Sequence, residues 1–411
     1  MSPAFFIRPF VACSTLVTLA GVLLTGAGCD LKSPDSMSTK KVALAPVNSL
    51  ARTWSLPLDL SNRRDEMRGL YLRDDMLFAY SQRNRVTAMS ASNGRPLFAI
   101  DVTPDQVPLK PPILIKERIA FVTGASIEVY SKAGKFAESA NTNNRSIRSP
   151  GILLGDTIYL GLDYPAGGRL AAVDLTRRFD RVRWEIMTRF GISATPAIYQ
   201  NLIYFADEGG AVHAVSEDKA PAWSLEHSAF QTDGRIVADL KADEGGIFVA
   251  SMDTKLYCLE PGSGRMRWQY YSGSPLVESP VITADTVYQV VPNVGVAAID
   301  KLNGKMNRDP KWIVKGATRF ISQDEKNAYL RGPDNRILAC DRATGEVKFK
   351  SKRDDLVAFA INTKNGIIYA ATRDGLIMAI TPVTTPGVMG TMVLAPIPLD
   401  EALAIAADVT R

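Results

Sequence analysis

Imidazole and thiol are scarce in this chain. Its 411 residues hold two histidines, His213 and His227, and four cysteines, Cys13, Cys29, Cys258 and Cys340. Zinc sites are built from clustered Cys and His ligands, and two histidines make no cluster; His213 also lies inside the alternating run VHAVS, where an ordinary sheet residue is expected. Carboxylates are more promising by type. Asp174, Glu260, Asp300 and Asp341 each end an apolar alternation and have the chemistry for proton transfer or cation binding. They recur, however, at one place in a repeated segment, and an acidic residue there initiates a turn by accepting local backbone N–H groups. No nucleophile elbow, Walker loop or metalloprotease helix appears. The sequence therefore assigns no catalytic, cofactor-binding or metal-ligating residue. One basic segment stands out, TRRFDRVR over residues 176–183. It inserts two residues into the usual turn, and a protruding hairpin carrying Arg177, Arg178 and Arg181 has the charge to meet an acidic partner or lipid headgroups. Exposed charges of this kind are more often simply solvated.

Cys13 and Cys29 belong to the N-terminus. From Phe5 to Gly28 the chain is apolar apart from Arg8 and small hydroxylated side chains, the composition of an export signal over residues 1–28. The stretch LLTGAGCD resembles a bacterial lipobox, which implies that Cys29 receives lipid and becomes the mature N-terminus; Gly26 departs from the leucine usual in that motif. A bilayer span needs about 20 apolar residues, so an uncleaved anchor is the physical alternative. Either way the rest of the chain lies outside the cytoplasm, behind a polar tether over residues 29–50. Cys258 and Cys340 stand one position out of phase in their aligned repeats, which on strands points them to opposite faces. Two buried, unpaired thiols are expected rather than a disulfide.

The elements that must position all these residues follow from a period. LYCLEPGSGRMRW from Leu256 recurs as ILACDRATGEVKF from Ile337 and as VTAMSASNGRPLF from Val86. Alternating segments start at Val86, Ile127, Leu170, Val212, Leu256, Val296, Ile337 and Ile377, spaced by 40 to 44 residues. That is the range of four-stranded propeller blades. Each unit reads as a Pro-led strand (SPGIL, TPAIY, SPVIT), a Tyr-rich strand (TIYLG, LIYFA), the alternating strand, and an outer strand led by an aromatic. Trp184, Trp223, Trp268 and Trp312, with Phe98 and Phe349 as substitutes, are expected to pack between blades, since recurrence at a fixed offset is what inter-blade burial demands. The last unit has no such outer strand, but ARTWSLPLDL from Ala51 supplies one with Trp54. The fold expected is all-β: an eight-bladed propeller of four-stranded antiparallel blades over residues 51–382, closed by the N-terminal strand, with a C-terminal tail over residues 383–411. Composition agrees, with 46% hydrophobic and 22% charged residues as in ordinary globular proteins, and the net charge of +5 is too dilute over this length to imply nucleic acid.

The repeated unit, Ser/Thr-Pro-x-apolar, apolar-Tyr, then apolar-x-Ala-apolar-Asp-x-x-x-Gly-x-x-x-Trp, resembles that of pyrroloquinoline-quinone-type (PQQ-like) propellers across nearly all of residues 51–382. Eight blades with a lipobox and no appended domain are similar to the BamB family of lipoproteins. That resemblance implies a periplasmic scaffold of the outer-membrane β-barrel assembly machinery, whose loops and strand edges bind a partner's domains; a membrane-tethered, monomeric ring without a cofactor is expected. Two other classes compete. A sensor or glycan-binding propeller requires a polar, aromatic-lined pocket on one ring face. A quinoprotein dehydrogenase resembles a longer propeller with vicinal cysteines and calcium ligands, and no two cysteines adjoin here.

Overall fold

A computed structural model describes residues 47–60, 65–102, 107–143, 145–223, 229–302 and 309–384. The export segment, Cys29, His227 and the tail beyond residue 384 lie outside the described residues. Eight four-stranded antiparallel sheets follow one another, and in seven of them the strands pair in chain order from the innermost outward. Numbered in sequence, blade 1 spans residues 67–101, blade 2 residues 113–141, blade 3 residues 152–188, blade 4 residues 197–231, blade 5 residues 241–271, blade 6 residues 281–315 and blade 7 residues 319–350. Blade 8 takes its three inner strands from residues 356–384 and its outermost from Val47–Pro57. The chain thus forms the closed, eight-bladed all-β propeller that its period predicts.

The second strand of each blade explains the Tyr-rich runs. Each blade lies between two others, so both faces of a middle strand are covered and the sequence loses its alternation. Leu202–Ala206 and Gly246–Ala250 are buried at nearly every position. Tyr80, Tyr159, Tyr204, Tyr288 and Tyr329 are the largest fully buried side chains. The third strands contribute small partners, Ala88, Ala172, Ala214, Ala298 and Ala339, which let neighbouring sheets approach. The innermost strands are short in blades 2 to 6, as in the Pro-led Ala197–Tyr199 and Val281–Ile282. They are longer in blades 7, 8 and 1, at Arg319–Gln323, Leu356–Ala360 and Met67–Arg73.

Adjacent blades are latched by the recurring aromatic. Each indole N–H donates to a backbone carbonyl on the next blade: Trp54 to Ala91 at 3.1 Å, Trp184 to Glu217 at 2.8 Å, Trp223 to Pro261 at 2.9 Å, Trp268 to Lys301 at 3.0 Å and Trp312 to Arg342 at 2.9 Å. The repeat glycine is the other half of this latch. Gly264 (φ +71°) and Gly345 (φ +74°) turn their bare Cα toward the indoles of Trp223 and Trp312, where an added Cβ would stand only 2.6 Å from the ring. The motif's glycine and tryptophan therefore meet across a blade boundary rather than within one repeat. Blade 2 ends in FAESAN, without an aromatic at the latch position. There Glu138 takes over, accepting from Arg118 of its own blade at 2.8 Å and from Arg181 of blade 3 at 2.5 Å.

Ring closure pairs Val47–Pro57 with Leu376–Thr384 antiparallel, Trp54 opposite Ala379 and Pro57 opposite Leu376. Trp54 then bonds blade 1, so a single strand completes blade 8 and latches it onward.

Candidate functional site

Two places on the ring gather groups able to recognise something. The first is the outer edge of blade 3. Asp174 starts its turn as expected, its carboxylate accepting from the Thr176 N–H at 2.9 Å and hydroxyl at 2.6 Å. The same role holds for Asp341, which accepts from Ala343 and Thr344, and for Asp300, which accepts from Leu302. Glu260 differs: its carboxylate chelates Arg267 at 2.6 and 2.7 Å, and only its backbone N–H and carbonyl serve the turn.

The structure separates the three arginines of this hairpin. Arg181 is drawn inward onto Glu138, and Arg177 lies 3.5 Å from Asp174. Arg178 stays outside, with its guanidinium 5.8 Å from the centre of the Phe179 ring. Phe179 is 78% exposed, and along the same edge Met187 is 62% and Phe190 45% exposed. Arg183 and Arg189 are exposed between and beside them. Phe179, Met187 and Phe190 escape a reading based on charge alone; the signal for them is the aromatic and methionine placed among arginines.

The second place is the axial channel. The long inner strands of blades 7, 8 and 1 line about half of one cavity of about 770 Å³, and blades 5 and 6 with their approaches line most of the rest. Val357, Ile361, Phe359 and Val281 give it an apolar wall. The polar wall holds Arg68 and Arg73 from blade 1, Lys241 from blade 5 and Arg319 from blade 7. Lys110, on the approach to blade 2, feels both Arg68 and Asp239. Burial pulls the Arg73, Lys110 and Lys241 cations below their ordinary pKa values, with Asp239 opposing the fall in each case. Arg73 itself donates to the Pro112 and Leu72 carbonyls, each at 3.0 Å.

Three carboxylates line the channel, Asp239, Asp243 and Glu278, and the first two are already engaged. Asp239 accepts from the Thr195 N–H at 2.8 Å and hydroxyl at 2.6 Å. Asp243 lies 2.6 Å from Lys301, a side chain only 2% exposed that also reaches Glu244 at 3.2 Å across the blade 5 to blade 6 boundary. Burial disfavours the Lys301 charge, but these two carboxylates more than offset it and hold its pKa above the usual lysine value.

His213 stacks on Phe205 with ring centres 5.0 Å apart, a sheet position as expected. Among the described residues no group of three or more His, Cys, Asp or Glu side chains could hold a metal. Cys258 and Cys340 are buried and unpaired in blades 5 and 7, and burial pushes each thiol up to about 12. Because thiolate is the reactive form, both are expected to stay unmodified when native protein is treated with iodoacetamide at pH 8, and to be alkylated once it is unfolded; peptide mass spectrometry reads this directly.

Residues 208–348, from the end of the second strand of blade 4 to the last strand of blade 7, match the family described as "Outer membrane protein assembly factor BamB". No curated protein matches the chain. Among solved structures the chain is similar to BamB from Moraxella catarrhalis, with a TM-score of 0.62 at 14% identity over 84% of this chain and 100% of that one. It is similar to the computationally designed Ika8 protein, at 0.60 and 12% over 79% and 98%, and to the Neurospora crassa Pan2 WD40 domain, at 0.51 and 11% over 84% and 98%. At such identities the structural likeness speaks for the fold alone.

Proposed function

We propose that this chain, a PQQ-like β-propeller of the BamB type, is a non-enzymatic, membrane-tethered scaffold of the cell envelope that binds protein partners during outer-membrane β-barrel assembly. The observation that carries the reading is the edge of blade 3. Protein interfaces are enriched in aromatic residues, Met and Arg, and the outer strand Val182–Thr188 carries exposed Arg183 and Met187 along it, with an arginine–aromatic pair at each end, Arg178 with Phe179 and Arg189 with Phe190. The lipobox-like segment ending in Cys29 supports the tether and a periplasmic location, and the match described as BamB supports the assembly role.

A crosslinker placed at Arg178 in intact cells, followed by capture from solubilised membranes, tests this. Co-capture of a β-barrel assembly protein is the expected result. The variant Arg178→Ser/Phe179→Ser should weaken that capture by about tenfold or more, the loss of one good interface anchor. Arg181 is left intact in the variant, because its bond to Glu138 joins two blades. Unchanged capture would move the partner surface elsewhere on the ring.

A further inference from the structure

The axial channel collects cations that the fold does not neutralise. Among the described residues, the lining cations Arg68, Arg73, Lys241 and Arg319 have no carboxylate oxygen within ion-pair distance, and neither has Lys110, next to the lining residue Pro111. Asp243 is taken by Lys301, Asp239 already accepts two hydrogen bonds from Thr195, and Glu278 is the remaining lining carboxylate, exposed to the channel and outnumbered by the four lining cations. Blades 1 and 5 lie across the ring from each other, yet Arg73 and Lys241 repel one another and both are drawn to Asp239. Arg68, Lys241 and Arg319 are exposed to the channel's solvent, so their charges are open to a ligand that enters it.

From this geometry we infer that the channel is a binding site for a free, multiply charged oxyanion, a condensed phosphate or a polycarboxylate. Several features select that class. Guanidinium forks match phosphate and carboxylate oxygens in pairs, and an ammonium adds a point charge. The lining cations come from blades 1, 5 and 7, so one small monovalent ion cannot meet them all. A cavity of about 770 Å³ lies within the size range of small-molecule sites. The apolar wall at Val357 and Ile361 leaves room for a non-charged portion of the ligand. The blade 3 edge lies outside this channel, so the inference stands apart from the scaffold reading.

Isothermal titration of the full-length protein with tripolyphosphate, and separately with citrate at matched ionic strength, tests the site. Saturable binding of at least one of them to one site per ring is expected. Arg68→Ser/Lys241→Met should reduce affinity at least tenfold, whereas Arg178→Ser on the outer edge should leave it unchanged. Both channel residues project into open space, so the double variant should melt no lower than the parent, and the anion should raise the melting temperature of the parent only. Absence of saturable binding by either anion would overturn the proposal. So would equal binding by parent and channel variant, which would mark diffuse surface charge as the cause.

Discussion

Trp268→Ala destabilises the ring by about 3–5 kcal/mol, the cost of emptying a large buried site. The side chain is 3% exposed and packs with Leu276, Val287 and Ile299 across the boundary between blades 5 and 6. Its ring centre lies 5.9 Å from that of Phe248, in a tilted contact. Removing it leaves a cavity on both blades and strips the Lys301 carbonyl of its indole donor. Trp268→Phe refills much of the volume without restoring the hydrogen bond, so it should cost less, about 1–2 kcal/mol. Denaturant titration of the two variants separates packing from hydrogen bonding. A loss below about 0.5 kcal/mol for the alanine variant, the range of ordinary surface changes, would show that the indole does not latch the blades.

Deleting residues 47–57 should have the larger effect. It removes a strand paired along its length with Leu376–Thr384, together with Trp54, the latch onto blade 1. The backbone groups of LIMAITPVT would then face solvent as an unpaired edge, a template for another chain. The expected product is a dimer or higher oligomer with a sharply lowered melting temperature, read by size exclusion with light scattering. A deleted protein that remained a monomer of unchanged stability would mean that the ring closes without this strand.

How much of this is written locally differs between fold and site. The period of the alternating strands, the buried Tyr runs and the lone Trp54 near the beginning each mark their place by spacing, because a blade repeats one hydrophobic solution eight times. Asp174 and Asp341 are legible for the same reason. Gly264 is only half legible: its turn can be read from the hairpin, but its contact with Trp223 depends on the stacking of separate repeats. The channel cations are not legible at all. Arg68, Arg73, Lys241 and Arg319 share no motif, and only closure of the ring brings them around one cavity. The arginine hairpin fails in the opposite direction. Its three charges sit together in sequence, yet Arg181 is spent on Glu138 because blade 2 lacks the aromatic that would otherwise join it to blade 3.

The closing strand also sets an order of events. Val47–Pro57 is synthesised before every other strand of the ring, and its partner Leu376–Thr384 is synthesised last. Each inner hairpin can form from neighbours a few residues apart, but this one pairing must wait for the whole chain and then close its longest loop, the kind of contact that slows folding most. During that interval the early strand and the late edge are both unpaired, and the tryptophan that will seal them is exposed. A protein built this way is most vulnerable to pairing with a second copy late in its own folding.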